Sequence, residues 1–251
     1  MTRYSVKRAL FLLTVAWLCP ACAYLRSAKV PMPVVRFSQI GARSAHGVIV
    51  LLPGFGDRPE TFAQRGFVAA LRRWAPAYDV IAADAHFGYY RSRQLLPRLR
   101  QDVITPLRAQ GYRRIWLAGA SMGGFGGVGY ARAHPQDIAG LLLFAPYMGP
   151  RKIVEEVRRA GLCGYRPAPA ASIDDQDSFA RANFAFLRET VFERRDLPLW
   201  LAVGASDDLL AANQTLAPAL PAGRFRVLPG GHGWNVWTPA VEDMARALEE
   251  P

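Results

Sequence analysis

Six short apolar runs recur along the chain: HGVIVLLPG, YDVIAADAH, RRIWLAGAS, IAGLLLFAPY, LPLWLAVGAS and GRFRVLPGG, each bounded by Gly, Pro, Asp or Ser. Near-continuous apolar runs of this length fit strands buried on both faces, and such strands belong to a mostly parallel sheet covered by helices. Segments with helical spacing lie between them, at residues 60–74, 92–110, 122–134, 153–159, 179–191, 211–220 and 236–248. Strand and helix in alternation predict a three-layer α/β domain with right-handed crossovers, whose ligands bind at the carboxyl ends of the strands. One interval breaks the rhythm. About fifty residues separate the run ending near Tyr147 from the one starting near Leu199, far more than a simple crossover needs. Residues 148–196 are therefore read as a helical insertion, either a cap over the site or ordinary crossover packing.

With 251 residues, 51% of them hydrophobic, the chain can bury one sizeable core and is short for two, so a single domain over 24–251 is expected. The net charge of +11 raises the question of an anionic partner. The arginines are dispersed as short pairs, such as Arg72 and Arg73 or Arg158 and Arg159, with no stripe and no nucleic-acid module. Nucleic acid is not an expected partner; peripheral contact with anionic lipid is the alternative to a solvated basic surface.

At the N-terminus, Arg3, Lys7 and Arg8 precede the apolar segment ALFLLTVAWL and then ACA at Ala21 to Ala23. The apolar segment is too short to span a bilayer, which takes roughly 20 residues. Residues 1–23 read as an export signal, giving a periplasmic or secreted protein. A competing reading makes Cys22 the acylated first residue of a lipoprotein, although Cys19 and Pro20 stand where Leu and a small residue are expected. Beyond these only Cys163 remains, so neither a disulfide framework nor a cysteine metal site is expected.

The stretch GASMGG sets Ser121 in G-x-S-x-G, after an apolar run and before a helical segment. A serine at such a turn sits at a strained backbone position, and the flanking Gly119 and Gly123 let strand and helix approach closely. That context points to a nucleophile, which needs a base to take its proton and an acid to orient the base. Of the four histidines, His46 precedes a strand, His86 follows one, and His134 ends the helix that starts at Ser121. His232, in GGHGW just past the last apolar run, is the candidate base. The preceding run ends in VGASDDLL, which offers Asp207 and Asp208 as the acid.

From VIVLLPGFGD through GASMGG and GASDDLL to GGHGWNVW, the chain resembles an α/β-hydrolase, with a small helical insertion after the sixth strand. The resemblance implies a serine hydrolase that cleaves carboxylic esters, taking a small-molecule or lipid-like ester and needing neither cofactor nor metal. Acyl transfer, thioester or peptide cleavage with the same residues, or a non-catalytic binding protein on this fold, are the alternatives. In that family the acid commonly falls three residues after the glycine ending its strand, which selects Asp207 and leaves Asp208 as substitute. The resemblance also implies an oxyanion hole from the backbone amides of Met122 and Phe55, with Pro53 and Gly54 standing where many relatives carry His-Gly. The tail GGHGWNVW resembles the His-x-Trp-x-x-Trp ending of the putative-esterase branch, so Trp234 and Trp237 are candidates for a pocket lining or for packing of the last helix. His86 and Tyr89, in HFGYYRSR after the second apolar run, are candidates for a pocket wall.

Overall fold

The computed structural model describes residues 26–37, 45–168 and 175–249; the export-signal reading of 1–23, with Cys22, falls outside them. Seven strands form one sheet: β1 (Val34–Arg36), β2 (Gly47–Leu52), β3 (Tyr78–Ala83), β4 (Ile115–Ala120), β5 (Gly140–Phe144), β6 (Leu199–Gly204) and β7 (Phe225–Leu228). Their order is β1-β3-β2-β4-β5-β6-β7. The six expected runs are β2 to β7, all parallel to one another, and every residue of β2 to β5 is buried. β1 runs antiparallel to β3, pairing Val34 with Ala83, and was not anticipated. It has three residues and an exposed flank, too short a stretch for a period to register.

The longer helices are α1 (Phe67–Trp74), α2 (Met122–Ala133), α3 (Arg151–Ala160), α4 (Gln176–Leu187) and α5 (Trp234–Glu249). Strand parity places them in layers. Phe144 of β5 meets Phe67 of α1 with ring centroids 5.0 Å apart, whereas Leu141 lies against Gly127 of α2. Residues an odd number apart on one strand point to opposite faces, so α1 and α2 cover opposite sides of the sheet. α5 joins α1, where Trp234 sits edge-on to both Phe62 and Phe67.

Two expected helices are interrupted. The segment 60–74 breaks at Gly66, whose φ of 77° is a conformation that glycine adopts without steric cost. The segment 92–110 is helical from Leu95 to Ala109 but widens into a π-helical stretch at Leu99–Ile104, just ahead of Pro106, whose missing N–H a wider turn accommodates.

The insertion follows β5, the fifth strand in chain order and not the sixth. Its described part holds α3 and α4. Arg181 of α4 grips Glu156 of α3 through two hydrogen bonds of 3.0 and 2.7 Å, and Lys152 pairs with Asp177. α4 also lies directly on α2: a Cβ on Gly129 would strike the Phe179 ring, and Asn183 donates to the Phe125 carbonyl while accepting from Arg132. At its start, Gln176 donates to the Tyr147 hydroxyl at 3.1 Å, beside the carboxyl end of β5. These helices thus pack on the crossover layer and also reach the edge of the sheet where ligands bind.

Candidate active site

Ser121 is the hinge between β4 and α2, with φ 50° and ψ −114°. A non-glycine residue there is strained, and the fold holds it by hydrogen bonds on both sides. Its amide donates to the Phe144 carbonyl at 2.9 Å, and its own carbonyl accepts from Tyr147 at 3.0 Å and from Gly124 at 3.0 Å. The glycines around it make room: a Cβ on Gly119 would come within 2.5 Å of the Gly123 carbonyl oxygen, and one on Gly124 within 2.7 Å of the Pro146 ring.

Gly123 is the tightest of these positions, because its Cβ would collide with the Leu52 carbonyl oxygen at the end of β2. Backbone cannot swing aside, so Gly123→Ala is expected to cost roughly 3 kcal/mol or more of stability. Gly127 is the control. Its Cβ would meet Leu52 Cδ1 at an ordinary 3.5 Å, and Ala is the better helix former by about 1 kcal/mol, so Gly127→Ala should leave stability unchanged or raise it. Urea denaturation midpoints of the two variants check the contrast.

Three side chains meet at this edge. His232 Nδ1 lies 2.8 Å from Asp207 Oδ2, and His232 Nε2 lies 2.9 Å from Ser121 Oγ. Asp207 sits in the turn after β6 with its side chain fully enclosed, and its other oxygen accepts from the Leu209 amide at 2.8 Å. The carboxylate fixes the imidazole tautomer: Nδ1–H donates to Asp207, which leaves the Nε2 lone pair facing the serine hydroxyl. Asp208, the substitute acid, is exposed, whereas the Asp207 side chain is enclosed. The structure therefore brings together Ser121, His232 and Asp207.

The loop after β2 runs beside the serine. Gly54 is buried, and a Cβ built on it would lie 3.6 Å from Ser121 Cβ. The Asp57 amide donates to the Gly54 carbonyl at 3.2 Å, closing a turn that presents Phe55 at the surface, where its ring meets Phe87 at 5.5 Å. Met122 opens α2, and amides of a first helical turn have no carbonyl partner within the helix. Burial raises the Asp57 carboxyl above the ordinary range, against the opposing pull of the Trp234 indole and Arg65.

The remaining candidates divide. Trp237 is buried at 4% exposure and stands edge-on to the His232 ring at 5.1 Å, while Trp234 packs on Phe62, Phe67 and Trp237. Trp237 supports the histidine directly and Trp234 docks α5 behind it, so packing and site support meet in this pair. Tyr89 and His86 depart from the pocket-wall expectation. Tyr89 is fully buried, with its hydroxyl donating to the Lys29 carbonyl at 2.9 Å and accepting from the Lys29 amide at 3.1 Å. His86 is buried against it, and its Nδ1 accepts from the Gly88 amide at 3.1 Å. Desolvation lowers the His86 pKa, helped by nearby Arg26, which itself pairs with Asp84 at 2.5 Å. Tyr89 anchors the segment 26–33 through Lys29, and His86 packs on the Tyr89 ring. Nothing in the sequence alone distinguished that from pocket lining, because the anchoring partners are backbone groups sixty residues away.

Among the described residues no group of three or more His, Cys, Asp or Glu side chains could hold a metal ion. A family model described as "Putative esterase" matches residues 61–248. The chain belongs to this esterase family. It has the α/β-hydrolase fold, shared with solved structures at low sequence identity. A ferulic acid esterase superposes with a TM-score of 0.54 at 17% identity, over 88% of this chain and 98% of that one. The fluorophosphonate-binding serine hydrolase F of Staphylococcus aureus gives 0.55 at 16%, over 90% and 97%. Est1E from Butyrivibrio proteoclasticus gives 0.56 at 15%, over 86% and 90%. No curated protein sequence matches the chain. As a member of this family the protein is a hydrolase of the esterase kind.

Proposed function

We propose that this hydrolase cleaves carboxylic esters of small or lipid-like substrates through an acyl-enzyme on Ser121. The observation that carries the reading is the unbroken line from Asp207 through His232 to Ser121, at 2.8 and 2.9 Å, ending on a strained serine at the carboxyl edge of the sheet. Strain and support of this kind are what hold a nucleophile in attacking geometry before substrate arrives.

In this mechanism Ser121 Oγ attacks the ester carbonyl carbon while its proton passes to His232 Nε2. The carbonyl π pair moves onto oxygen, where the amides of Met122 and Phe55 receive the charge. Asp207 stays ionised and stabilises the imidazolium. As the tetrahedral centre collapses, the C–O bond to the alcohol breaks and His232 returns its proton to that oxygen. A water then repeats the sequence: His232 takes its proton, its oxygen attacks the acyl carbon, and Ser121 leaves reprotonated. The N-terminal pattern at 1–23 supports a site of action outside the cytoplasm.

The test is reaction with a fluorophosphonate followed by peptide mass spectrometry, alongside turnover of p-nitrophenyl esters of rising chain length. Stoichiometric label on Ser121 together with a burst of p-nitrophenol is the expected result. A folded protein that takes no label, or takes it elsewhere, would overturn the nucleophile.

A further inference from the structure

Resting on that reading, we propose that Asn213 is a positioning residue that locks the loop carrying Asp207 to the loop that holds Ser121. Asn213 is completely buried. Its Nδ2 donates twice: to the Leu209 carbonyl at 2.8 Å, in the turn beginning at Asp207, and to the Pro146 carbonyl at 3.1 Å, after β5. The first of these loops contains the acid, since Leu209 and Leu210 donate their amides to the Asp207 carboxylate and carbonyl. The second loop holds the nucleophile from both sides: Phe144 accepts from the Ser121 amide and Tyr147 donates to the Ser121 carbonyl.

Between Phe144 and Tyr147 the chain is itself strained. Ala145 has φ 42°, a conformation unusual for a residue with a Cβ and resisted further by the proline that follows. Besides the Ser121 amide on the Phe144 carbonyl, three hydrogen bonds hold this junction: Ala145 to the Ala202 carbonyl, Tyr147 to Ser121, and Asn213 to Pro146. The first two are backbone bonds that any sequence would make; the third is the side-chain link. Asn213 Oδ1, by contrast, is buried without a hydrogen-bond partner among the described residues. An amide held with one end unsatisfied is costly to stability and is better explained by what its other end positions.

The side chain does not touch the reacting atoms. It works through two backbone loops, so its loss should appear in turnover and not in substrate affinity. Asn213→Leu keeps the shape while removing both donors. Per site titrated with fluorophosphonate, kcat is expected to fall by about tenfold to a hundredfold, with KM within about twofold. Asn213→Ser, which keeps a donor hydroxyl, should recover part of the rate; it also serves if the leucine variant fails to fold.

A folded Asn213→Leu with wild-type kcat per titrated site would overturn the proposal. So would a loss confined to the fraction of titratable sites, since that is what a merely structural residue produces. Failure of the underlying reading looks different: Ser121→Ala would retain wild-type turnover whatever happens at Asn213.

Discussion

Ser121→Ala is expected to lower kcat for a p-nitrophenyl ester by roughly a millionfold, and His232→Ala by a similar factor. The reason lies in the 2.9 Å contact between them. The hydroxyl is a weak nucleophile until Nε2 takes its proton, and Nε2 has no proton to take until the hydroxyl attacks, so removing either removes one shared step. The double variant should therefore be no slower than the singles, and all three should retain the residual rate that the Met122 and Phe55 amides supply. Steady-state kinetics on purified, folded variants decide it. Single losses that multiplied in the double variant would mean that the two residues act in separate steps.

Asp207→Asn carries the second largest effect, a fall in kcat of about ten-thousandfold. An asparagine there preserves the bond from the Leu209 amide and the packing of a fully enclosed side chain. What changes is the partner offered to His232 Nδ1. An amide NH2 facing the ring stabilises the tautomer that carries its proton on Nε2, the atom that must accept from Ser121. Asp208→Asn is the internal control. That carboxylate is exposed and outside the chain of contacts, so its rate should stay within about twofold of wild type. A loss at Asp208 larger than that at Asp207, measured side by side, would reverse the choice of acid.

Much of this architecture was legible because burial on both faces leaves a plain mark in the chain. Five of the six parallel strands, β2 to β6, are runs such as VIVLL and LLLF, which no solvent-facing strand could be, whereas the edge strand β7, FRVL, departs from the expectation: it pairs on one side only and exposes Arg226 and Val227. Ser121 and His232 were legible because each is preceded by a run that ends at the same edge of the sheet. Other features left no such mark. Whether an aspartate pair turns its first or second member inward depends on one turn, and only the family spacing separated Asp207 from Asp208. Tyr89 and His86 have the composition of a pocket wall, but a segment far away in sequence encloses them. Asn213 was illegible because its partners, Leu209 and Pro146, use their carbonyls, and every residue has one.

The left-handed backbone at Ser121 and Ala145 sets a limit on how this protein can be improved. Replacing either by glycine would relieve a backbone strain of about 1 to 3 kcal/mol, in part offset by the added freedom of the unfolded chain. At 145 such a change loosens the support of the serine, and at 121 it deletes the serine itself. A library screened for heat resistance alone would thus enrich glycine at these two positions as readily as at Arg93 and Arg195, which share the positive φ, and at 121 the enriched molecules would lack the serine. Thermostabilisation has to be sought at other positions, Gly127 among them, with 121 and 145 held fixed throughout.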